Sequence, residues 1–273
     1  MTETIAINER TVDLGGRTLS VVEAGEGPGT LVLLHGIGSS ARSWTDLLPL
    51  LAPHARCLAW DLPGYGGSDP LDVEHPVAAD YLAVLDRWLD VERVQTCVLL
   101  GHSLGALIAG EASRQWPDRV AGLVLADPGS GSGLSVNEPW PERLTSRISD
   151  LKALGQPAFA AARAPRMCAP SAPDHARAVT QREMARVKLP GYAQAVALLA
   201  QADLAATLPH TRCPLTLMVG SDDIITPPES VRRLADQRPD ATYLELPGLG
   251  HAGYVEAPKL YAEPILAMLE RVR

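Results

Sequence analysis

A serine flanked by glycines, in Gly101-His102-Ser103-Leu104-Gly105, follows the apolar run Val98-Leu99-Leu100 and opens a stretch with helical spacing of apolar residues. In that strand-turn-helix setting the glycines permit a tight turn that projects the Ser103 hydroxyl, where it can attack a carbonyl carbon. The competing reading is an ordinary helix-capping serine, and the strand directly before it favours the nucleophile. An alcohol attacks poorly until a base removes its proton, so a histidine must join it. Of the seven histidines, His251 is the expected base, because Gly248-Leu249-Gly250-His251-Ala252-Gly253 is a glycine-rich loop between the last predicted strand and the last helix. His54, His75, His175 and His210 lie in polar or proline-flanked segments, and His102 belongs to the turn itself. His35 reads as a brace for its own loop.

The imidazolium formed on His251 needs a carboxylate to orient and stabilise it. Asp222 and Asp223 follow the apolar run 215–219, and Asp127 ends the run 120–126; the residue types alone leave the three open. A tetrahedral oxyanion must meet fixed N–H donors. The expected pair is the backbone N–H of Leu104 and that of Ile37, in His35-Gly36-Ile37-Gly38.

These residues need a scaffold that brings distant loops to one edge. Short apolar runs at 18–23, 30–34, 56–60, 95–100, 120–126, 215–219 and 242–246 read as strands, and 43–51, 77–89, 104–116, 228–237 and 257–273 carry helical periodicity. Such alternation predicts an α/β fold, a mostly parallel sheet with helices on both faces. It breaks over 128–208, which opens with a Gly/Ser/Pro-rich tract and continues with helix-length segments and no strand. The chain therefore divides into a core of 1–127 and 209–273 and an all-helical cap of 128–208.

Composition narrows the class. With 273 residues, 46% of them hydrophobic, the chain can bury a large core, and disorder is a poor reading. The net charge of −8, with no Lys/Arg run, argues against nucleic acid or an anionic membrane as partner. No apolar run approaches a membrane span and the start lacks a signal peptide's pattern, so a cytoplasmic protein, as monomer or homodimer, is expected. The four cysteines are too scattered for a disulfide framework or zinc site, and Cys57 and Cys97 read as core residues. No H-x-H or H-E-x-x-H spacing occurs, and neither metal nor cofactor is expected.

His35-Gly36 followed by Trp44, then Asp61-Leu62-Pro63-Gly64-Tyr65-Gly66-Gly67-Ser68, the serine turn and Gly250-His251 resemble successive landmarks of the α/β-hydrolase superfamily. The resemblance covers most of the chain outside the insertion. It implies an eight-stranded sheet with the helical cap inserted after the sixth strand. It also implies the chain order serine, acid, histidine, and a G-x-x-D ahead of an apolar pair and Thr-Pro selects Asp223 over Asp222, with Asp127 as the alternative acid. Within the superfamily the chain looks most like bacterial 3-oxoadipate enol-lactonases and, less closely, carbon–carbon hydrolases of meta-cleavage products. Ala252 stands where the latter carry Trp, and Ser103 stands where haloalkane dehalogenases and epoxide hydrolases carry Asp.

The expectation is a serine hydrolase that cleaves a small carboxylic ester or lactone through an acyl-enzyme. Carbon–carbon or amide cleavage on the same triad is one alternative, and a non-catalytic ligand-binding module is another. Gly36, Trp44, Trp140, Arg166 and Arg186 are the residues expected to reach the small-molecule substrate. Phe159, Met167, Met184 and Tyr192 could line an apolar pocket, although in a helical layer such residues commonly serve packing. Arg163, Arg166, Arg182 and Arg186 suggest that one cap arginine pairs with a substrate carboxylate.

Overall fold

The computed structural model describes residues 5–273; residues 1–4, part of the start read above as lacking a signal peptide, lie outside it. Eight strands form one sheet: β1 (Ile7–Asp13), β2 (Thr18–Ala24), β3 (Thr30–Leu34), β4 (Arg56–Trp60), β5 (Cys97–His102), β6 (Val120–Ala126), β7 (Leu215–Gly220) and β8 (Thr242–Leu246). Their order is β1-β2-β4-β3-β5-β6-β7-β8. Only β2 runs against its neighbours; the pairs from β4 to β8 are parallel.

The helices are α1 (Leu48–Leu51), α2 (Ala78–Val91), α3 (Leu104–Gln115), α4 (Glu142–Arg163), α5 (Asp174–Met184), α6 (Leu189–Gln201), α7 (Leu204–Thr207), α8 (Pro228–Ala235), α9 (Gly253–Glu256) and α10 (Pro258–Arg271). Side chains alternate across each strand, so Leu99 joins the cluster under α2, α3 and α8, while Val98 and Leu100 join Trp44, Tyr254 and Ile265 on the face covered by α1 and α10. Burial on both faces explains why the central strands read as near-continuous apolar runs.

β1 escapes sequence reading because it is an edge strand whose only buried side chain is Val12, so it shows no apolar alternation. The helix expected at 43–51 is instead a 3-10 turn, Ala41–Trp44, followed by the single turn of α1. Ser39, Ser40 and Ser43 hydrogen-bond one another and the local backbone there, which competes with a continuous helix.

Helices α4 to α7 all fall between β6 and β7. α4 bends at Gly155, which takes φ 70°, with Pro157 just beyond. Leu144, Leu151 and Phe159 of α4 and Tyr192 and Leu198 of α6 pack into the same cluster as Leu104 and Ile108 of α3, so the insertion and the sheet share an apolar core. All four cysteines are free and buried. Among the described residues, no helix is long and apolar enough to cross a membrane.

Candidate active site

Ser103 is the single residue between β5 and α3, and it makes the turn with φ 54° and ψ −113°. A non-glycine residue there carries strain of about 1–3 kcal/mol and persists only when its surroundings fix it. Two backbone bonds do so: Ser103 N–H donates to Ala126 O at 3.0 Å, and Gly129 N–H donates to Ser103 O at 3.0 Å. The turn also needs α3 pressed against β3. A Cβ on Gly105 would lie 2.1 Å from the Leu34 carbonyl oxygen, so only glycine allows this approach. Leu104 is the first residue of α3, and its N–H has no acceptor within the helix.

His251 sits in the loop between β8 and α9 and is 1% exposed. Its Nδ1–H donates to Asp223 Oδ2 at 2.7 Å, which leaves Nε2 as the acceptor, buried and without a protein partner among the described residues. Asp223 lies just beyond β7 and accepts three further bonds, from Ile225 N–H at 2.7 Å, Thr226 N–H at 3.0 Å and the Thr226 hydroxyl at 2.7 Å. Burial pushes its carboxyl up, but the charge and hydrogen bond of His251 and the bonds from Thr226 outweigh this and hold it below the ordinary carboxylate range. The converse holds for His251: burial disfavours its cation, yet the Asp223 charge and hydrogen bond leave it more basic than an ordinary histidine.

The other carboxylates are placed differently. The Asp222 side chain is exposed and pairs with the Ser221 hydroxyl at 3.1 Å, away from His251. Asp127 is fully buried behind the pair, accepting from Gly220 N–H at 2.9 Å and the Tyr261 hydroxyl at 3.0 Å. Burial, then the nearby Asp223 charge, push its carboxyl well up. Asp127, Asp223 and His251 bring donor atoms within 4.8 Å of one another, the spacing of a metal cluster, but Asp223 and His251 are already engaged with each other.

A second layer holds the loops. His35 donates from Nδ1 to Gly36 O at 2.8 Å and accepts from Leu62 N–H at Nε2 at 3.0 Å, the bracing expected of it. The Tyr65 hydroxyl donates to Ile37 O at 2.9 Å, which fixes the Gly36–Gly38 turn. His102 donates from Nε2 to the His251 carbonyl at 2.8 Å, and burial, then the neighbouring His251, push its own pKa down to about 3. Local sequence did not reveal that last contact, because it spans 149 residues.

Ser103 and His251 open into a cavity of about 350 Å³, walled by Ile37 and Gly38, by 129–132, by 224–226 and by the helical insertion. Phe159, Met167, Met184 and Tyr192 line it, as does Arg166. The other residues expected at substrate do not. Gly36 lies against Ser103, where a Cβ would come 2.9 Å from Ser103 Cβ, so it is a spacer. Trp44 is 1% exposed and packs behind the site on Tyr254 and His102. Trp140 stands edge-on to His75 outside the cavity. Arg186, in the turn just past α5, borders a separate crevice with Ser39, Asp61 and Tyr65, near Glu183 at 3.6 Å; Arg182 also pairs with Glu183. Sequence reading missed Arg143 and Arg147, which line the cavity. Their i, i+4 spacing was the available signal, since it places both on one side of α4.

The family model described as alpha/beta hydrolase family matches residues 31–263. A pimeloyl-[acyl-carrier protein] methyl ester esterase of Pectobacterium atrosepticum is 28% identical over 268 residues, covering 90% of this chain and 96% of that protein. A 2-hydroxy-6-oxononadienedioate/2-hydroxy-6-oxononatrienedioate hydrolase of Klebsiella pneumoniae is 37% identical over 150 residues, 52% of this chain and 50% of that protein. Among solved structures, the enol-lactonase from Burkholderia xenovorans LB400 superposes with a TM-score of 0.85 at 21% identity, covering 96% of this chain and 100% of that one. With its sheet order, its serine turn between β5 and α3 and a family match that spans most of its length, the chain belongs to the alpha/beta hydrolase family.

Proposed function

We propose that the protein hydrolyses a small carboxylic ester or lactone through an acyl-enzyme on Ser103, His251 and Asp223, with residues 128–208 acting as its cap. One observation carries the reading: His251 is tied to Asp223 through Nδ1 while its unpartnered Nε2 borders the cavity into which the strained Ser103 opens. Ser103 Oγ attacks the carbonyl carbon as His251 Nε2 takes its proton, and the resulting imidazolium is stabilised by Asp223. The N–H groups of Leu104 and Ile37 meet the oxyanion. His251 then returns the proton to the leaving alkoxide, the acyl–Ser103 ester remains, and a water deprotonated by His251 releases the acid. The esterase and enol-lactonase relatives support ester or lactone cleavage over other bonds. The half-length match to a dienedioate hydrolase favours carbon–carbon cleavage as the second reading, recognisable by turnover of a vinylogous diketo acid without turnover of simple esters.

Ser103→Ala is expected to lose about 10⁴-fold or more in kcat on p-nitrophenyl acetate, and labelling by a fluorophosphonate should vanish with it. Retained turnover or labelling would exclude Ser103 as nucleophile.

A further inference from the structure

The cavity beside Ser103 reverses the sign of the molecule that contains it. The chain carries a net charge of −8, yet Arg143, Arg147, Arg163 and Arg166 border the cavity and, among the described residues, no Asp or Glu does. These guanidinium groups are not equivalent. Arg163 is satisfied by Asp150 at 2.8 Å and lies over the Phe159 ring, while Arg143 is exposed and donates to the Ser132 hydroxyl at 3.1 and 3.3 Å. Arg166 is exposed at the rim. Arg147 is half-buried and has neither a hydrogen bond nor an ion pair among the described residues. It is close enough that its charge opposes protonation of the buried His251. A half-buried cation without a partner is costly, and a bound anion removes that cost.

We propose that Arg147 binds a carboxylate of the substrate, so that the preferred ester or lactone is itself an acid. A free guanidinium offers two parallel N–H donors, the spacing of the two oxygens of one carboxylate. A dianion such as a phosphate monoester would want further donors; Arg163 and Arg143 are already engaged, and the unengaged Arg166 is exposed at the rim, where water screens it. The inference rests on the serine-hydrolase reading for its substrate but not for its binding site, and the test separates the two.

The first measurement is binding of adipate, which cannot be hydrolysed, to the full-length protein by calorimetry. Arg147→Met should weaken it by about 10- to 100-fold, the usual worth of a charge-assisted bidentate contact, while Arg182→Met, outside the cavity, should not. The second is the preference for monomethyl over dimethyl adipate in kcat/KM, which should fall by a similar factor in Arg147→Met and recover in part in Arg147→Lys. Adipate binding equally well to Arg147→Met and to the unaltered chain would overturn the proposal, whatever the esterase assays show. So would an unchanged half-ester preference in a variant that still hydrolyses esters. Adipate binding that needs Arg147 in a protein without esterase activity would sustain the subsite and sink the ester reading instead.

Discussion

Asp223 and Asp127 lie side by side and do different work because their surroundings differ. Asp223 accepts four hydrogen bonds, one from His251, and stays ionised; Asp127 accepts two and is driven toward its neutral form by burial. On the proposed mechanism His251 acts when unprotonated, and Asp223 makes its proton harder to lose. The acid limb of kcat/KM should therefore lie above the ordinary histidine value of about 6.5. Asp223→Asn removes the charge and leaves the desolvation, so the limb should move to lower pH while kcat falls by roughly 10³- to 10⁴-fold. Asp127→Asn, at a carboxyl that burial already pushes toward its neutral form and that makes no bond to the His251 ring, should cost far less. pH–rate profiles of both variants on p-nitrophenyl acetate decide the matter, and the reverse ranking would transfer the acid role to Asp127. Ser103 and His251 were legible because each is marked by glycines next to it in sequence. Asp222 and Asp223 were not separable by residue type, since what distinguishes them is which side chain turns inward after β7. Arg147 was missed for a related reason: its i, i+4 spacing puts it on one side of α4 with Arg143, but which way that side faces is set by the packing of Leu144 and Leu151 beneath α4.

At the level of elements, the position of Ser103 depends on how closely α3 sits on β3. Gly105→Ala would drive a methyl group into the Leu34 carbonyl. It should destabilise the protein by about 3 kcal/mol, measured by denaturant unfolding, and lower activity by tilting the turn that carries Ser103. A stable, fully active alanine variant would show that this approach is looser than described. The central strands were readable because both of their faces are buried, while β1 was hidden by its position at the edge, where polar residues suffice. The 43–51 region misled because its apolar spacing is helical while its serine hydroxyls hold the backbone in a 3-10 turn.

For the molecule as a whole, loops of the sheet carry Ser103 and His251 and the helical insertion helps wall the cavity they open into, of about 350 Å³. That is near the lower end of ligand cavities. Turnover of p-nitrophenyl esters should accordingly peak at short acyl chains and fall by roughly tenfold or more between butyrate and laurate, as overpacking sets in. A flat profile would mean that the cap opens freely. Fold and layer order followed from the alternation of strands and helices, whereas the cavity wall depends on contacts between segments far apart in the chain.

The buried cysteines have a practical corollary. Burial pushes the Cys57 and Cys97 thiols up to about 12 and raises those of Cys168 and Cys213 as well, so hardly any thiolate exists at neutral pH. The folded chain should therefore be chemically quiet toward alkylating reagents, and a cysteine placed at an exposed position of the helical insertion such as Leu154 would be the one thiol a dye could address. Any movement of the proposed cap against the sheet could thus be followed by fluorescence without first removing a native cysteine.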